Sequence, residues 1–268
     1  MKYKIFNKFG LSTLLLSIVL ITSSCEKEFD EAPKDNTPVA YASVHNFALR
    51  TGGNSSVFVN NTQLALGGSN VALAFNTSLL GLGNYIGVKP GDVTVGLRTA
   101  TGTTNYATRT VNIAQTSYTS FFAYDTLTTA GTAKLLVLNN NMKPADTATS
   151  NIRFLHLSPN AGNINVVLTR TLNQFGLAAT GTVITLSNVP YIGATATPNE
   201  AALSAFTNIP AGTYSVLILS GTTTILPTGT TNLVLREGKN YSVVARGFSP
   251  FVVNVPTSLN VTSLIHNP

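Results

Sequence analysis

The sequence predicts an all-β chain built as two consecutive β-sandwiches, and three observations point there. From Val39 onward apolar and polar residues alternate with period two and β-branched residues dominate, the pattern of half-buried strands. Gly, Asn, Thr and Pro interrupt that pattern at short intervals, which favours a sandwich or barrel of many short strands. The same series of motifs then occurs twice in one order, each copy close to the roughly 100 residues of a single sandwich. Composition agrees: 44% of the 268 residues are hydrophobic and 10% charged, enough apolar surface for sizeable cores and too little charge for a disordered chain.

Residues 1–24 read as an export signal. Lys2, Lys4 and Lys8 precede an apolar stretch over residues 11–21, and Thr22-Ser23-Ser24 follow. The stretch is shorter than the roughly 18 residues of a spanning helix. Cys25, the single cysteine, excludes an internal disulfide. It stands where the small residues end, an arrangement that resembles the lipobox of bacterial lipoproteins, with Thr22 where Leu is more common. The resemblance implies that Cys25 is lipidated and becomes the first residue of the mature chain, and two or three acyl chains would anchor it durably. Residues 25–38 read as the lipidated cysteine and a flexible acidic tether, because a charged segment with Pro33, Pro38 and one large apolar residue, Phe29, cannot bury enough surface to order itself. The run Glu26-Lys27-Glu28-Phe29-Asp30-Glu31 resembles the surface-export signal of Bacteroidota lipoproteins, which implies an outer-membrane protein facing the cell exterior.

Removing the leader takes three lysines from the formal net charge of +6. Beyond Pro38 the basic residues are scattered, with no clustered face and no aromatic interleaving. Nucleic acid is therefore not an expected partner.

The first unit is placed at residues 39–143 and the second at 150–268, joined by a polar segment around residues 140–150 that contains Pro144. Tyr41-Ala42-Ser43-Val44-His45 pairs with Ile152-Arg153-Phe154-Leu155-His156, and Gly53-Asn54-Ser55-Ser56-Val57 with Gly162-Asn163-Ile164-Asn165-Val166. The turn and strand that follow Val88-Lys89-Pro90-Gly91 match those that follow Ile209-Pro210-Ala211-Gly212, and residues 111–123 match 233–245 with one gap. Residues 134–139 resemble 260–266. Strands are expected at 163–168, 213–218 and 240–245, each with one buried face. Helical turns are expected at most at 173–179 and 199–203.

Three motifs of the second unit carry a family resemblance: Asn151-Ile152-Arg153-Phe154-Leu155-His156-Leu157-Ser158-Pro159 continuing to Val166, then Ile209-Pro210-Ala211-Gly212-Thr213-Tyr214, then Glu237-Gly238-Lys239-Asn240-Tyr241 continuing to Gly247. In that order they resemble the DUF4397 family, found in secreted and lipid-anchored bacterial proteins. Asn160 and Asn165 stand where the family usually has acidic residues. The first unit looks like a diverged copy that keeps His45, Pro90-Gly91 and Tyr118 but lacks the Ser-Pro pair. The resemblance implies an immunoglobulin-like sandwich without an established enzymatic activity.

His45 and His156 each end a strand at a loop and are the first candidates for chemistry. Zinc requires three or four ligands and no partner spacing accompanies them, so both are expected to fix loops by hydrogen bonding. Ser158, His156 and Asp146 make a triad on paper, but no Gly-x-Ser-x-Gly elbow exists. No catalytic residues, metal or cofactor are expected. Tyr118 and Tyr241 occupy one repeat position after a turn, as a packed corner tyrosine would. Tyr85, Tyr106, Tyr124 and Tyr191 fall near strand ends or loops, where they could stack on a sugar. Asp125-Thr126-Leu127 and Asp146-Thr147-Ala148 resemble the O-glycosylation acceptor of Bacteroidota, which implies Thr126 and Thr147 as modified residues. The functional expectation is a non-catalytic, lipid-anchored envelope protein acting as a structural or binding and adhesion module, its protein or glycan ligand unnamed. The alternative is a glycan-binding accessory lipoprotein of a nutrient-uptake system.

Overall fold

A computed structural model describes residues 37–49, 53–79, 85–99, 102–126, 133–179 and 181–267. The export signal, Cys25 and all but the last two residues of the tether lie outside the described residues, as does Leu127.

The first sandwich contains β1 (Ala40–Asn46), β2 (Ser55–Val59), four two-residue strands β3 (Thr62–Gln63), β4 (Ala65–Leu66), β5 (Ser69–Asn70) and β6 (Ala72–Leu73), then β7 (Thr77–Ser78), β8 (Ile86–Val88), β9 (Gly91–Thr99), β10 (Asn105–Ile113), β11 (Tyr118–Tyr124) and β12 (Lys134–Asn139). One sheet runs β12-β11-β1 with β7 and β8 on the far side of β1; the other runs β10-β9-β2 with β3 and β6. The second sandwich contains β13 (Thr149–His156), β14 (Ile164–Asn173), β15 (Val183–Val189), a 3-10 turn over Ile192–Ala194, α1 (Glu200–Ser204), β16 (Thr207–Pro210), β17 (Gly212–Ser220), β18 (Thr223–Leu226), β19 (Asn232–Leu235), β20 (Asn240–Arg246) and β21 (Asn260–Ile265). Its sheets run β16-β13-β20-β21 and β15-β14-β17, with β18 and β19 beside β17.

The topology repeats in its principal strands. β1 and β11 pair in parallel from Tyr41 opposite Tyr118 to Asn46 opposite Ala123, and β13 and β20 pair in parallel with Ile152 opposite Tyr241 and His156 opposite Ala245. Each parallel pair continues into an antiparallel third strand, β12 or β21. The β2–β9 ladder has its counterpart in β14–β17. Tyr118 and Tyr241 therefore occupy one structural position, as do His45 and His156.

Alternation sorts side chains into three apolar layers rather than two. Val44, Phe121, Ala123, Leu135 and Val137 point into the first core, and Ile152, Val243 and Ala245 into the second. Their sequence neighbours point the other way. Phe47, Phe122, Tyr124, Leu136 and Leu138 meet Leu155, Leu157, Ile192, Val244 and Leu264 in a third cluster between the sandwiches. Each such side chain, fully buried, is worth roughly 1.5–3 kcal/mol relative to exposure. The expectation of one buried face fails for β20, buried at all seven positions, because its outer face is covered by the other sandwich. β1 and β11 are buried at six of seven positions for the same reason.

The β12 edge of the joint is covered by the chain between β15 and β16. Asn199 Oδ1 accepts from the Ala202 amide at 3.1 Å and starts α1. Glu200 Oε1 then accepts from the Val137 amide at 3.0 Å, and Ser204 Oγ from the Asn139 amide at 3.1 Å. These are alternate amides of an edge strand, the groups an uncovered sheet would offer to another chain. Residues 173–179 form a hairpin connection, not a helix: Asn173 Oδ1 accepts from the amides of Phe175 and Leu177, and Gly176 takes φ +77°, a left-handed conformation that suits glycine. Gly212, equivalent to Gly91 at the start of the matching strand, has φ +153°, and a Cβ there would collide with the Leu172 carbonyl.

Burial on both faces sets an expected outcome for β11. Replacing Phe122 by Ala should cost about 3–5 kcal/mol in urea unfolding. Thr108→Ala, on the exposed face of β10, should stay within about 0.5 kcal/mol of the parent. Equal, small effects would show that the joint contributes nothing.

Candidate functional site

Hydrophobic contact alone does not hold the joint together. In the middle of β13, Arg153 is 4% exposed and has no carboxylate partner among the described ion pairs, which are Arg109–Glu200 and Lys134–Asp125. Its donors go instead to neutral acceptors: Nε to Ser242 Oγ at 2.7 Å, Nη1 to the Asn139 carbonyl at 3.1 Å and Nη2 to Asn140 Oδ1 at 2.6 Å. The guanidinium also lies 4.9 Å from the Phe206 ring centroid and 5.8 Å from that of Phe122, within cation–π range. Burial lowers its pKa to about 9. It therefore remains charged at neutral pH.

The charge orders the hydrogen bonds around it. Arginine only donates, so Ser242 accepts from Arg153 and its own hydroxyl donates to His266 Nε2 at 2.7 Å. That leaves the His266 Nδ1 proton to be donated to the Tyr85 hydroxyl at 2.8 Å. Ser43 and Ser120, 2.7 Å apart at their hydroxyls, surround the phenol of Tyr85. Asn140 Nδ2 donates to Ser120 at 2.8 Å. Ser43 continues to His45 Nε2 at 3.0 Å, and His45 Nδ1 meets Ser78 Oγ at 2.7 Å. One continuous network thus runs from β7 of the first sandwich to His266, just after β21 of the second, and His45 and His266 in it are fully buried.

The histidines are held neutral. Burial and the nearby Arg153 charge lower the His45 pKa to about 3, and the same two causes, with His45 itself, push His266 well below the ordinary 6.5. Burial raises Tyr85 to about 12. Such a network suits a rigid layer, and its Ser43, Ser120 and Ser242 hydroxyls belong to fully buried residues.

His156, the counterpart of His45, is tied locally. Its Nε2 donates to the Gly162 carbonyl at 2.8 Å, and Nδ1 faces the Ser158 amide at 3.3 Å. Ser158 Oγ donates to the Gly247 carbonyl at 2.5 Å, and the Asp146 backbone carbonyl binds Thr149 at the far end of β13. The paper triad is not assembled. Among the described residues no three His, Cys, Asp or Glu side chains converge as a metal site would require. Asn160 ties the loop after β20, with Oδ1 accepting from the Ser249 amide and Nδ2 donating to its carbonyl. Asn165 Oδ1 accepts from the Asn188 amide.

Tyr118 is half-buried and stacks on Tyr41, with ring centroids 4.5 Å apart at 8°. Tyr241 is buried and its hydroxyl accepts from the Arg236 amide at 3.0 Å. A second tyrosine that sequence reading did not single out, Tyr214, donates to the Pro210 carbonyl at 2.6 Å. The four tyrosines near strand ends or loops that could stack on a sugar do not form one platform. Tyr106 and Tyr124 are buried, and Tyr85 is committed to the joint, because these strand ends are covered by the other sheet or sandwich. Tyr191 packs edge-on against Tyr124 and His156 and forms one wall of a cleft.

That cleft, of about 280 Å3, lies between β13 and the segment leading to α1. Phe154, Val189, Pro190, Ile192, Pro198 and Leu203 make it apolar, with His156 and Asn199 at its edges. Thr147 is exposed on the turn before β13, whereas Thr126 is half-buried and bridges Leu49.

The pH dependence follows from the lowered histidine pKa values. The unfolded chain takes up a proton per histidine near pH 6.5, while folded His45 does so only near pH 3. The stability from keeping these rings neutral is present in full above about 6.5 and declines as pH falls toward 3, by up to roughly 1.4 kcal/mol per pH unit per group. His45→Gln should flatten that acid limb in denaturant titrations between pH 7 and 4. An unchanged slope would show that His45 does not titrate with unfolding.

Comparison with known proteins gives low-scoring structural alignments and one family-model match. No curated protein sequence matches. An α-glucan-recognising family 41 carbohydrate-binding module from streptococcal virulence factors aligns at 11% identity over 79% of this chain and 94% of its own, with a TM-score of 0.23. Candidate cell adhesion proteins align from Bacteroides ovatus (12% identity, 84% and 96% coverage, TM-score 0.24) and Bacteroides uniformis (12%, 88% and 99%, 0.23). The family match begins at β1 and ends within β14, so it takes in the copy read above as diverged as well as the first motif of the second sandwich. Residues 40–167 match the family model DUF4397, a domain of unknown function.

Proposed function

We propose that the chain is a non-catalytic, lipid-anchored module of the outer membrane, displayed toward the cell exterior, where it serves as a stiff structural or adhesive element. The observation that supports this most is the joint. A buried network and ten apolar side chains fuse two sandwiches, so a partner held by one would be held in fixed geometry to the other. The segment between the sandwiches is pinned as well: Asn240 Nδ2 donates to the carbonyls of Asn141 and Lys143 at 2.7 and 2.8 Å. Cys25, its preceding small residues and the acidic run behind it support the anchor and the outward address.

Capture of a glycan is a second reading, favoured by the cleft beside Tyr191 and Phe154. Its concavity, apolar lining and few polar edges have the character of a small-molecule site.

Two measurements separate the parts of this reading. Growth of the native host with an alkyne-bearing palmitate should label the protein, and Cys25→Ser should remove the label; equal labelling of both would defeat the anchor. Proteinase K added to intact cells should degrade the chain. Full protection in intact cells, with degradation after lysis, would defeat outward display. For the glycan reading, Leu203→Trp should fill the cleft and abolish glycan binding by the parent; parental binding that survives would place the ligand elsewhere.

A further inference from the structure

The end of the second sandwich away from His156 carries an apolar tip. The β14–β15 hairpin exposes Phe175 at 76%, Leu177 at 64% and Val183 at 56%, beside Leu172 at 37%. Residues 170–183 contain no Asp or Glu. Single exposed apolar residues are ordinary, but several large ones on one acid-free tip mark an interaction site.

The place where the chain enters the fold identifies the occupant. The Val39 carbonyl accepts from Thr116, and Tyr41 donates to Ser117, so the N-terminal end of β1 lies beside the start of β11. Tyr118 accepts from the Asn140 amide, and Asn240 holds Asn141 and Lys143. Asn240 opposes Asn151, Thr149 opposes Pro210, and Gly212 opposes Asn173 at the base of the hairpin. An unbroken series of contacts thus places the entering chain and the apolar tip at one end of the fold. Residues 26–38 separate Cys25 from that end, and thirteen residues can span at most roughly 45 Å.

From this we propose that the β14–β15 tip docks into the interfacial zone of the bilayer to which Cys25 is attached, with Phe175 and Leu177 as the inserted side chains. The proposal rests on the anchored reading above. Docking would fix the orientation of both sandwiches and turn the opposite end outward, where Phe248, Val252, Val253 and Val255 form a second exposed apolar group. Shallow insertion of a few apolar side chains is weak alone and becomes effective once a tether confines the module to the surface.

The chain contains no tryptophan, so Phe175→Trp and Val253→Trp each give a single fluorescent reporter. The chain from Cys25 onward, coupled through that one thiol to maleimide lipid in phosphatidylcholine vesicles, recreates the tether whether or not cells lipidate the cysteine. Brominated acyl chains should then quench the Phe175→Trp reporter at least about twofold and leave Val253→Trp unquenched. Quenching of neither, or of both equally, would overturn the docking. A Phe175→Trp emission that shifts to the blue with protein concentration before any vesicle is added would assign the tip to a second copy of the chain instead. Metabolic labelling of Cys25 reads the anchor separately, so failure of docking and failure of anchoring remain distinct.

Discussion

Arg153 is a buried cation with no anionic partner among the described residues, and the joint is organised around the need to satisfy it. A guanidinium removed from water is costly unless its donors find acceptors. Here they find Ser242, a main-chain carbonyl and Asn140, with two aromatic faces nearby. Satisfying Arg153 in turn fixes the Ser242 hydroxyl, the His266 tautomer and the Tyr85 phenol. Removal of one member would leave others buried and unpaired, a greater cost than the bond itself. The two sandwiches are thereby held in one register, since apolar contacts alone tolerate sliding and directional hydrogen bonds do not.

This constraint bears on function through what it uses up. The three histidines are engaged internally with hydroxyls, amides or carbonyls. Among the described residues, two sandwich ends and the cleft beside Tyr191 are candidate binding surfaces. A wide joint between the sandwiches and a linking segment pinned by Asn240 suit a module that presents a surface at a set orientation. The helix α1 serves the same body, since its Glu200 and Ser204 close the β12 edge that would otherwise be open to pairing.

The fold was legible where sheet geometry writes itself into the chain. Period-two alternation located β14, β17 and β20, and the repeated order of motifs anticipated the equivalence of β1 with β13 and of β11 with β20. A signal for the third apolar layer was also present: Phe121-Phe122-Ala123-Tyr124 and Leu135-Leu136-Val137-Leu138 lack the polar alternate positions of a strand with a solvated face. The joint's polar members left no such trace. Self-comparison matches each residue with its equivalent in the other copy, as His45 with His156. The joint pairs positions that are not equivalent, Tyr85 with His266 and Asn140 with Arg153. Likewise tyrosines near strand ends read as free because nothing local shows that another sandwich covers them.

The central claim is that the joint makes the two sandwiches one cooperative body. Native-state hydrogen exchange in low denaturant measures this directly, because amides that open together share one free energy and one denaturant dependence. The account predicts that the slowest amides of β1 and β11 and those of β13 and β20 converge on a single global value. Two separate values, one for each sandwich, would contradict it.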